Sequence, residues 1–398
     1  MQITVFPEKL SGNIQAISSK SQAHRMLICA ALSNKTCKIY CPDTNEDIDA
    51  TVSCLNALGA QIVRENAYFT VTPITAVPES AVLDCRESGS TLRFLLPVAG
   101  ALGINTTFLL RGRLHKRPLS PLWEEMTRMG CVLSRPTEHT VQCTGRMIPG
   151  DYLIDGGISS QFITGLLFAL SILLGHSTLR ITGTLQSKPY VDVTKSVLSV
   201  FGVNADVQTI QGMFPFNGPE SLRVEGDWSN AAFFLAANAL GSNIDISNLN
   251  PYSFQGDREI AKLIPSLEEK QVIDVSQIPD LMPILSVLAA AKCGAVFTNI
   301  QRLRLKESDR VHSVQEMLYN MGIHTEATEE TLTIHPGKFH ACSVDSYNDH
   351  RIAMSAAIAA TIATGPIKIT DAQCVNKSYP AFWKDFGKLG GNYEQLEG

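Results

Sequence analysis

One compound pattern is written six times along the 398-residue chain, and little else constrains its fold as tightly. Six segments open on small polar or charged residues and run into Ala/Leu-rich sequence, starting at Ser19, Ser88, Ser159, Asp227, Ile278 and Asn348. The starts are 69, 71, 68, 51 and 70 residues apart. Stretches this apolar on every side predict helices buried inside a domain. Each is followed by a short β-type run, at 38–40, 106–110, 178–181, 243–246, 296–300 and 367–369. An amphipathic helix comes next. Five of the six end on an apolar residue plus glycine: Leu58-Gly59, Met129-Gly130, Phe201-Gly202, Met321-Gly322 and Leu389-Gly390. Glycine just past a helix supplies the left-handed cap that ends it. The fourth copy reads Leu263-Ile264-Pro265 instead.

Two signals repeated in register imply six β/α units. A single core stops growing well before this length, so the units divide into two domains of three, with helices inside and sheets outside. The expected division is 13–226 for the first domain and 1–12 plus 227–398 for the second. The alternating run Ile3-Thr4-Val5 would complete the second, so the chain would cross between domains twice. The fold class is α/β: two inside-out domains, each of three repeated units around buried helices.

Charge narrows function. A net charge of −5 and a pI near 6.0 argue against nucleic-acid binding, which shows as a basic domain, but leave room for a local basic pocket. The opening MQITVFPEKL lacks a signal peptide's basic start and apolar stretch, and apolar runs such as 166–174 and 94–104 fall short of the roughly 18 residues a membrane helix needs. Ten cysteines without a CxxC pair read as free thiols, so a cytoplasmic, reduced protein is expected. GxSxG, HExxH, Walker and GxGxxG motifs are absent, and the histidines are not spaced like metal ligands.

The chemistry gathers at helix starts. A helix N-terminus presents unpaired N–H groups and partial positive charge, so it attracts anions. Serines there can be simple N-caps. Lys20, Arg25, Arg93 and Arg351, however, stand in or beside first turns, where a cation opposes the dipole unless an anion is bound. The amphipathic helices add Lys116-Arg117-Pro118, Ser187-Lys188-Pro189-Tyr190, the run from Arg304 to Arg310, and Asn376-Lys377-Ser378-Tyr379-Pro380. Asp280 and Glu307 interrupt this positive array and should be ionised, able to accept protons. His350 reads as structural.

In order along the chain run SKSxxxR, SGSTLR, RPL, SSQF, SKPYxDxT, GDWSNAAFFLAA, IPDxxP, RLKESDR, YNDHRIAM and KSYP. Together these resemble the enolpyruvylshikimate-phosphate synthase family over nearly the whole length. The resemblance implies shikimate 3-phosphate and phosphoenolpyruvate as substrates, no cofactor and no metal, and a monomer without nucleic-acid or membrane partners. It also implies roles. Lys20 serves both substrates, and Ser21 and Arg25 face the shikimate carboxylate. Ser159, Ser160 and Ser187 surround its phosphate, with Lys306 a further contact. Gln161 lies between the substrates and Tyr190 lies beside the ring. Gly89, Arg117, Arg310, Arg351 and Lys377 form the phosphoenolpyruvate site. Asp280 takes the proton of the attacking hydroxyl, and Glu307 handles the methylene proton.

This sequence departs from the family pattern at Ile17-Ser18, Glu87 and Arg302, and electrostatic compensation between the last two is expected. The UDP-N-acetylglucosamine enolpyruvyl transferases share the fold, but carry Lys-Asn where this chain has Lys20-Ser21. They also carry a loop cysteine that Gly112-Arg113-Leu114-His115-Lys116 lacks. An RNA-phosphate cyclase would need a nucleotide-binding histidine motif and a basic surface. A catalytically dead binder of the same fold would not keep the full set of acids and cations.

Overall fold

The computed structural model describes residues 1–206 and 208–396. The chain divides into two compact units, Ser18–Glu225 and Met1–Ile17 with Gly226–Gly398. The first boundary falls five residues later than the sequence suggests. Strand Ser11–Gln15 pairs in parallel with Asn243–Ser247, which keeps residues 13–17 with the unit that follows Gly226.

In the unit Ser18–Glu225, three inner helices alternate with three outer ones: α1 (Lys20–Ala31), α2 (Glu46–Ala57), α3 (Gly89–Leu102), α4 (Leu122–Arg128), α5 (Ser160–Ile172) and α6 (Lys188–Val200). α1, α3 and α5 are the Ala/Leu-rich segments, and their burial follows from having no polar face to turn outward. Three four-stranded sheets repeat one plan, a parallel pair extended by an antiparallel hairpin. Ser80–Asp84 lies parallel to Asn105–Leu109, for example, and Thr140–Gly145 and Cys131–Ser134 continue the sheet antiparallel.

Helices α3 and α5 approach unusually closely, and the sequence shows why. Pro97 inside α3 has no N–H, so the carbonyl four residues back, on Arg93, loses its helical donor. α5 meets α3 at that point through Gly165, where an added Cβ would stand 2.2 Å from the Arg93 oxygen. Only glycine fits.

The other unit holds α7 (Trp228–Ala239), α8 (Ile260–Ser266), α9 (Met282–Ala291), α10 (Arg310–Asn320), α11 (His350–Ala360) and α12 (Phe382–Lys388). Every residue of α11 is buried. One sheet repeats the plan within a single stretch, Gln271–Asp274, Ala295–Thr298, Thr331–Ile334 and Thr325–Ala327. Another recruits the N-terminal strand Gln2–Val5, seated antiparallel between Ile367–Thr370 and Tyr393–Leu396. The third is only the parallel pair Ser11–Gln15 with Asn243–Ser247.

That reduced sheet accounts for the short fourth spacing. Gly59, Gly130, Gly202, Gly322 and Gly390 all have positive φ, between 77° and 105°, and each turns the chain from a helix into a hairpin or its equivalent strand. α8 leads directly into the parallel strand Gln271–Asp274, so no hairpin follows it and no glycine cap is required. Each unit encloses its own core, one including Leu27, Leu96 and Phe168, the other Phe233, Leu288 and Ile358. Among the described residues, no helix is long and apolar enough to cross a membrane.

Candidate active site

The helix starts singled out by the sequence carry two polar constellations, one in each unit. In Ser18–Glu225, Lys20 opens α1 and pairs with Asp47 at 2.9 Å. One turn on, Arg25 is buried and fastens α1 to α5 and α6. Its Nε donates to Thr194 Oγ1 at 2.8 Å, its Nη2 to the Tyr190 carbonyl at 2.9 Å and to Thr164 Oγ1 at 3.4 Å, and its Nη1 to the Ser21 carbonyl. Burial lowers its pKa to about 10, so it is still charged at neutral pH. The Phe94 ring lies 5.0 Å from the guanidinium carbon.

A second group forms where α3 and α5 begin. Ser88 and Ser159 are N-caps whose hydroxyls accept from the Thr91 and Gln161 amides, and Ser160 is buried beside the latter. Gln161 is fixed from both ends: its Oε1 accepts from Arg93 Nη1 at 2.8 Å, and its Nε2 donates to Ser90 Oγ at 3.0 Å. Arg93 also donates to the Pro118 carbonyl at 2.8 Å, tying the Arg117-Pro118 segment to α3. At Gly89 an added Cβ would stand 2.6 Å from Arg117 Nη1, so the missing side chain is what admits this guanidinium over the helix start. Ser187 begins α6 with φ 55°, ψ 38°, a left-handed conformation that is costly for serine and is characteristic of functional sites.

In the other unit the centre is Arg310, the first residue of α10, only 1% exposed. Its three nitrogens reach three carboxylates: Nε to Asp349 at 2.8 Å, Nη1 to Asp280 at 2.7 Å and Nη2 to Glu307 at 2.8 Å. Arg351 Nη2 donates to the second oxygen of Asp280 at 2.9 Å, and Lys306 Nζ lies 3.8 Å from the first. Asp349 caps α11, accepting from the Arg351 amide, and also accepts from Ser308 Oγ. Lys377 donates to the Asn348 carbonyl at 2.8 Å, where Tyr347 and Asn348 both take left-handed backbone.

The charges set the protonation states. Burial pushes the Asp280 carboxyl up, but Arg351, Lys306 and Arg310 outweigh it and hold the group well below the usual carboxylate range. Burial lowers Lys306 to about 8, against the opposing pull of Asp280. Asp349 would likewise be raised by burial, and Arg310 brings it down. Asp257, buried and accepting from Ser229 Oγ, goes the other way: burial and then the Asp280 charge raise it to about 6.

Two aspects of the sequence reading need correction. Lys116-Arg117-Pro118 and Asn376-Lys377-Ser378 do not open the outer helices. They stand at or just beyond the 3-10 turns Gly112–Lys116 and Ala372–Lys377, and the helices start later, at Leu122 and Phe382. Prolines explain the delay, because the residue before a proline is steered out of helical backbone, and Pro118, Pro121 and Pro380 lie in those gaps. Sequence reasoning also gave no role to Asp47, Thr164, Thr194, Asp257 or Asp349. Asp349 stands directly before a buried helix, where an N-cap belongs; the others matter through partners distant in sequence.

Three comparisons bear on this arrangement. The family model for EPSP synthase (3-phosphoshikimate 1-carboxyvinyltransferase) matches residues 6–386. Proteins named 3-phosphoshikimate 1-carboxyvinyltransferase from Clostridium botulinum (strain Eklund 17B / Type B) and Clostridium beijerinckii are each 38% identical to this chain. The matches cover 98% and 99% of this chain and 98% of each relative. A solved EPSP synthase structure from Acinetobacter baumannii superposes with a TM-score of 0.80 over 100% of both chains at 23% identity, a likeness that bears on the fold. Matched across nearly its whole length by the family model and by these relatives, the chain belongs to the EPSP synthase (3-phosphoshikimate 1-carboxyvinyltransferase) family.

Proposed function

We infer that this chain transfers the enolpyruvyl group of phosphoenolpyruvate to the 5-hydroxyl of shikimate 3-phosphate, releasing phosphate, as the shikimate-pathway step towards chorismate. The hydroxyl oxygen bonds to the central carbon of phosphoenolpyruvate while the methylene carbon gains a proton. The resulting tetrahedral intermediate expels phosphate and returns a methylene proton, regenerating the double bond.

The observation that carries the assignment is the Arg310 hub, which holds two acids on separate nitrogens of one buried guanidinium. Asp280 is the group that takes the hydroxyl proton, and Glu307 is the one that serves the methylene carbon. Unliganded, Asp280 is a weak base because Arg351 and Lys306 share its charge. Anionic substrates compete for those cations, and their binding raises Asp280 towards useful basicity. Arg351 and Lys377, with Arg117 over Gly89, bind phosphoenolpyruvate and stabilise the departing phosphate. Arg310 belongs to the same group and also orients both acids.

Lys20 contacts both substrates and Gln161 lies between them. Ser21 and Arg25 hold the shikimate carboxylate, and Tyr190 covers the ring. Ser159, Ser160, Ser187 and Lys306 hold the shikimate phosphate; the strained left-handed backbone of Ser187 at the start of α6 supports a functional role there. Family membership and Lys20-Ser21 disfavour a UDP-amino-sugar acceptor.

Phosphate release from purified protein with both substrates tests the reading, with UDP-N-acetylglucosamine replacing shikimate phosphate as control. With phosphoenolpyruvate present, release is expected with shikimate phosphate and not with the UDP-sugar. Asp280→Ala is expected to slow turnover by about 10²- to 10⁴-fold while shikimate phosphate still binds. Undiminished turnover in that variant would refute the role of Asp280, and release with the UDP-sugar would point to the sister reaction.

A further inference from the structure

Away from these groups, the hairpin formed by Thr325–Ala327 and Thr331–Ile334 carries a second constellation. Thr325 pairs with Ile334, so the residues just outside, His324 and His335, stand opposite each other, and the His335 amide donates to the His324 carbonyl at 3.1 Å. Glu326 is two residues from His324 and therefore on the same face of its strand. The three side chains converge. Glu326 Oε1 lies 3.2 Å from His324 Nε2 and 3.1 Å from His335 Nε2, and the imidazole centroids are 4.9 Å apart. One ligand atom from each falls within 4.8 Å of the others.

We propose that His324, Glu326 and His335 form a binding site for a divalent late first-row transition ion such as Zn²⁺, Ni²⁺ or Cu²⁺. Two imidazoles and one carboxylate are the donors such ions select, with bonds of about 2.0–2.2 Å and water in the remaining positions. The two nitrogens already point at one carboxylate oxygen, so an ion replaces shared protons with little rearrangement. The frame is rigid, because Thr331–Ile334 is also paired with Ala295–Thr298. All three side chains reach solvent, so the ion has direct access. Histidine spacing in the sequence gave no sign of the site because its third donor comes from across the hairpin.

The site also touches the fold's working parts at one remove. At the turn of the hairpin, the Thr328 carbonyl accepts from Arg304 Nη2 at 3.1 Å, two residues before Lys306. In a second group, His115, Glu138 and His139, the carboxylate meets one imidazole, Glu138 Oε1 lying 3.2 Å from His139 Nε2, and the two histidines stand on separate segments and not across one hairpin. It serves as the control.

The test is calorimetric titration of untagged, chelator-stripped protein with Ni²⁺. One saturable site is expected in the wild type. His335→Ala and Glu326→Gln should each weaken it by at least about 10-fold, since losing even a supporting partner of a metal ligand costs about 10- to 100-fold. His324→Ala/His335→Ala should abolish it, with metal-free enolpyruvyl transfer unchanged in every variant. His139→Ala and Cys293→Ser, which removes the exposed thiol, should bind like wild type. The proposal fails if the double variant still binds as wild type does, if His139→Ala or Cys293→Ser abolishes binding, or if the wild type shows no saturable site below about 100 μM.

Discussion

Lys306 is a residue on which opposing forces nearly balance. Burial removes its hydration and lowers its pKa, the Asp280 charge pulls the other way, and the outcome is a value near 8. The ammonium of the free protein is thus lost as pH rises through 8, and kcat/KM for shikimate phosphate should fall on that alkaline limb by up to about tenfold per pH unit. Lys306→Arg keeps its charge, so its profile should stay flat there; an alkaline limb that persists near pH 8 in the arginine variant would remove Lys306 from the argument. The same shift has a stability signature of opposite sense. Between about 8 and 10.5 the unfolded chain holds a proton that the folded chain has released, so stability should rise with pH across that window. Residues of this kind were legible as types and not as partners. The cations and the acids Asp280 and Glu307 stood out in the sequence, whereas Asp47 opposite Lys20, and Thr164 and Thr194 under Arg25, are joined to them only by folding.

At the scale of elements, the contact between α3 and α5 makes the sharpest prediction. Gly165→Ala puts a methyl against the Arg93 carbonyl, and backbone cannot give way as a flexible side chain would. Overpacking of this kind costs about 1–3 kcal/mol, so the thermal midpoint should drop measurably. Because Arg93 and Gln161 ride on these two helices, KM for both substrates should rise as well. A variant as stable as wild type would show that the helices can part without cost. The inner helices were legible because a segment apolar on all sides has nowhere else to go. The starts of the outer helices were not, because 3-10 turns such as Ala372–Lys377 draw on the same residue types, and only proline placement separates them.

Across the whole molecule, the repeat count was open to inspection, and even its one irregularity proved structural, the short fourth interval being a sheet without its hairpin. The N-terminal strand shows how far the plan depends on distant sequence. Ile3 and Val5 are wholly buried in the middle of a sheet otherwise made from residues after 341. Deleting residues 1–6 removes both side chains, each worth about 1.5–3 kcal/mol, together with two ladders of backbone hydrogen bonds. Denaturant unfolding should show that unit strongly destabilised; an unchanged midpoint would mean the strand is dispensable.

The path of the chain past Ile17 and Glu225 has a further consequence. The Ser19 amide bonds the Glu225 carbonyl, and the Asp227 amide bonds the Ile17 carbonyl, each at 2.8 Å. Ser18–Glu225 is therefore a contiguous insert with adjoining ends, excisable as a single piece at the level of the gene. Gln2 faces Leu396 across an antiparallel pair, so a tight turn joining them would let the remainder be rewritten as one uninterrupted polypeptide running from Gly226 round to Ile17. Interleaving in the sequence conceals two modules that could be separately permuted, exchanged or inherited.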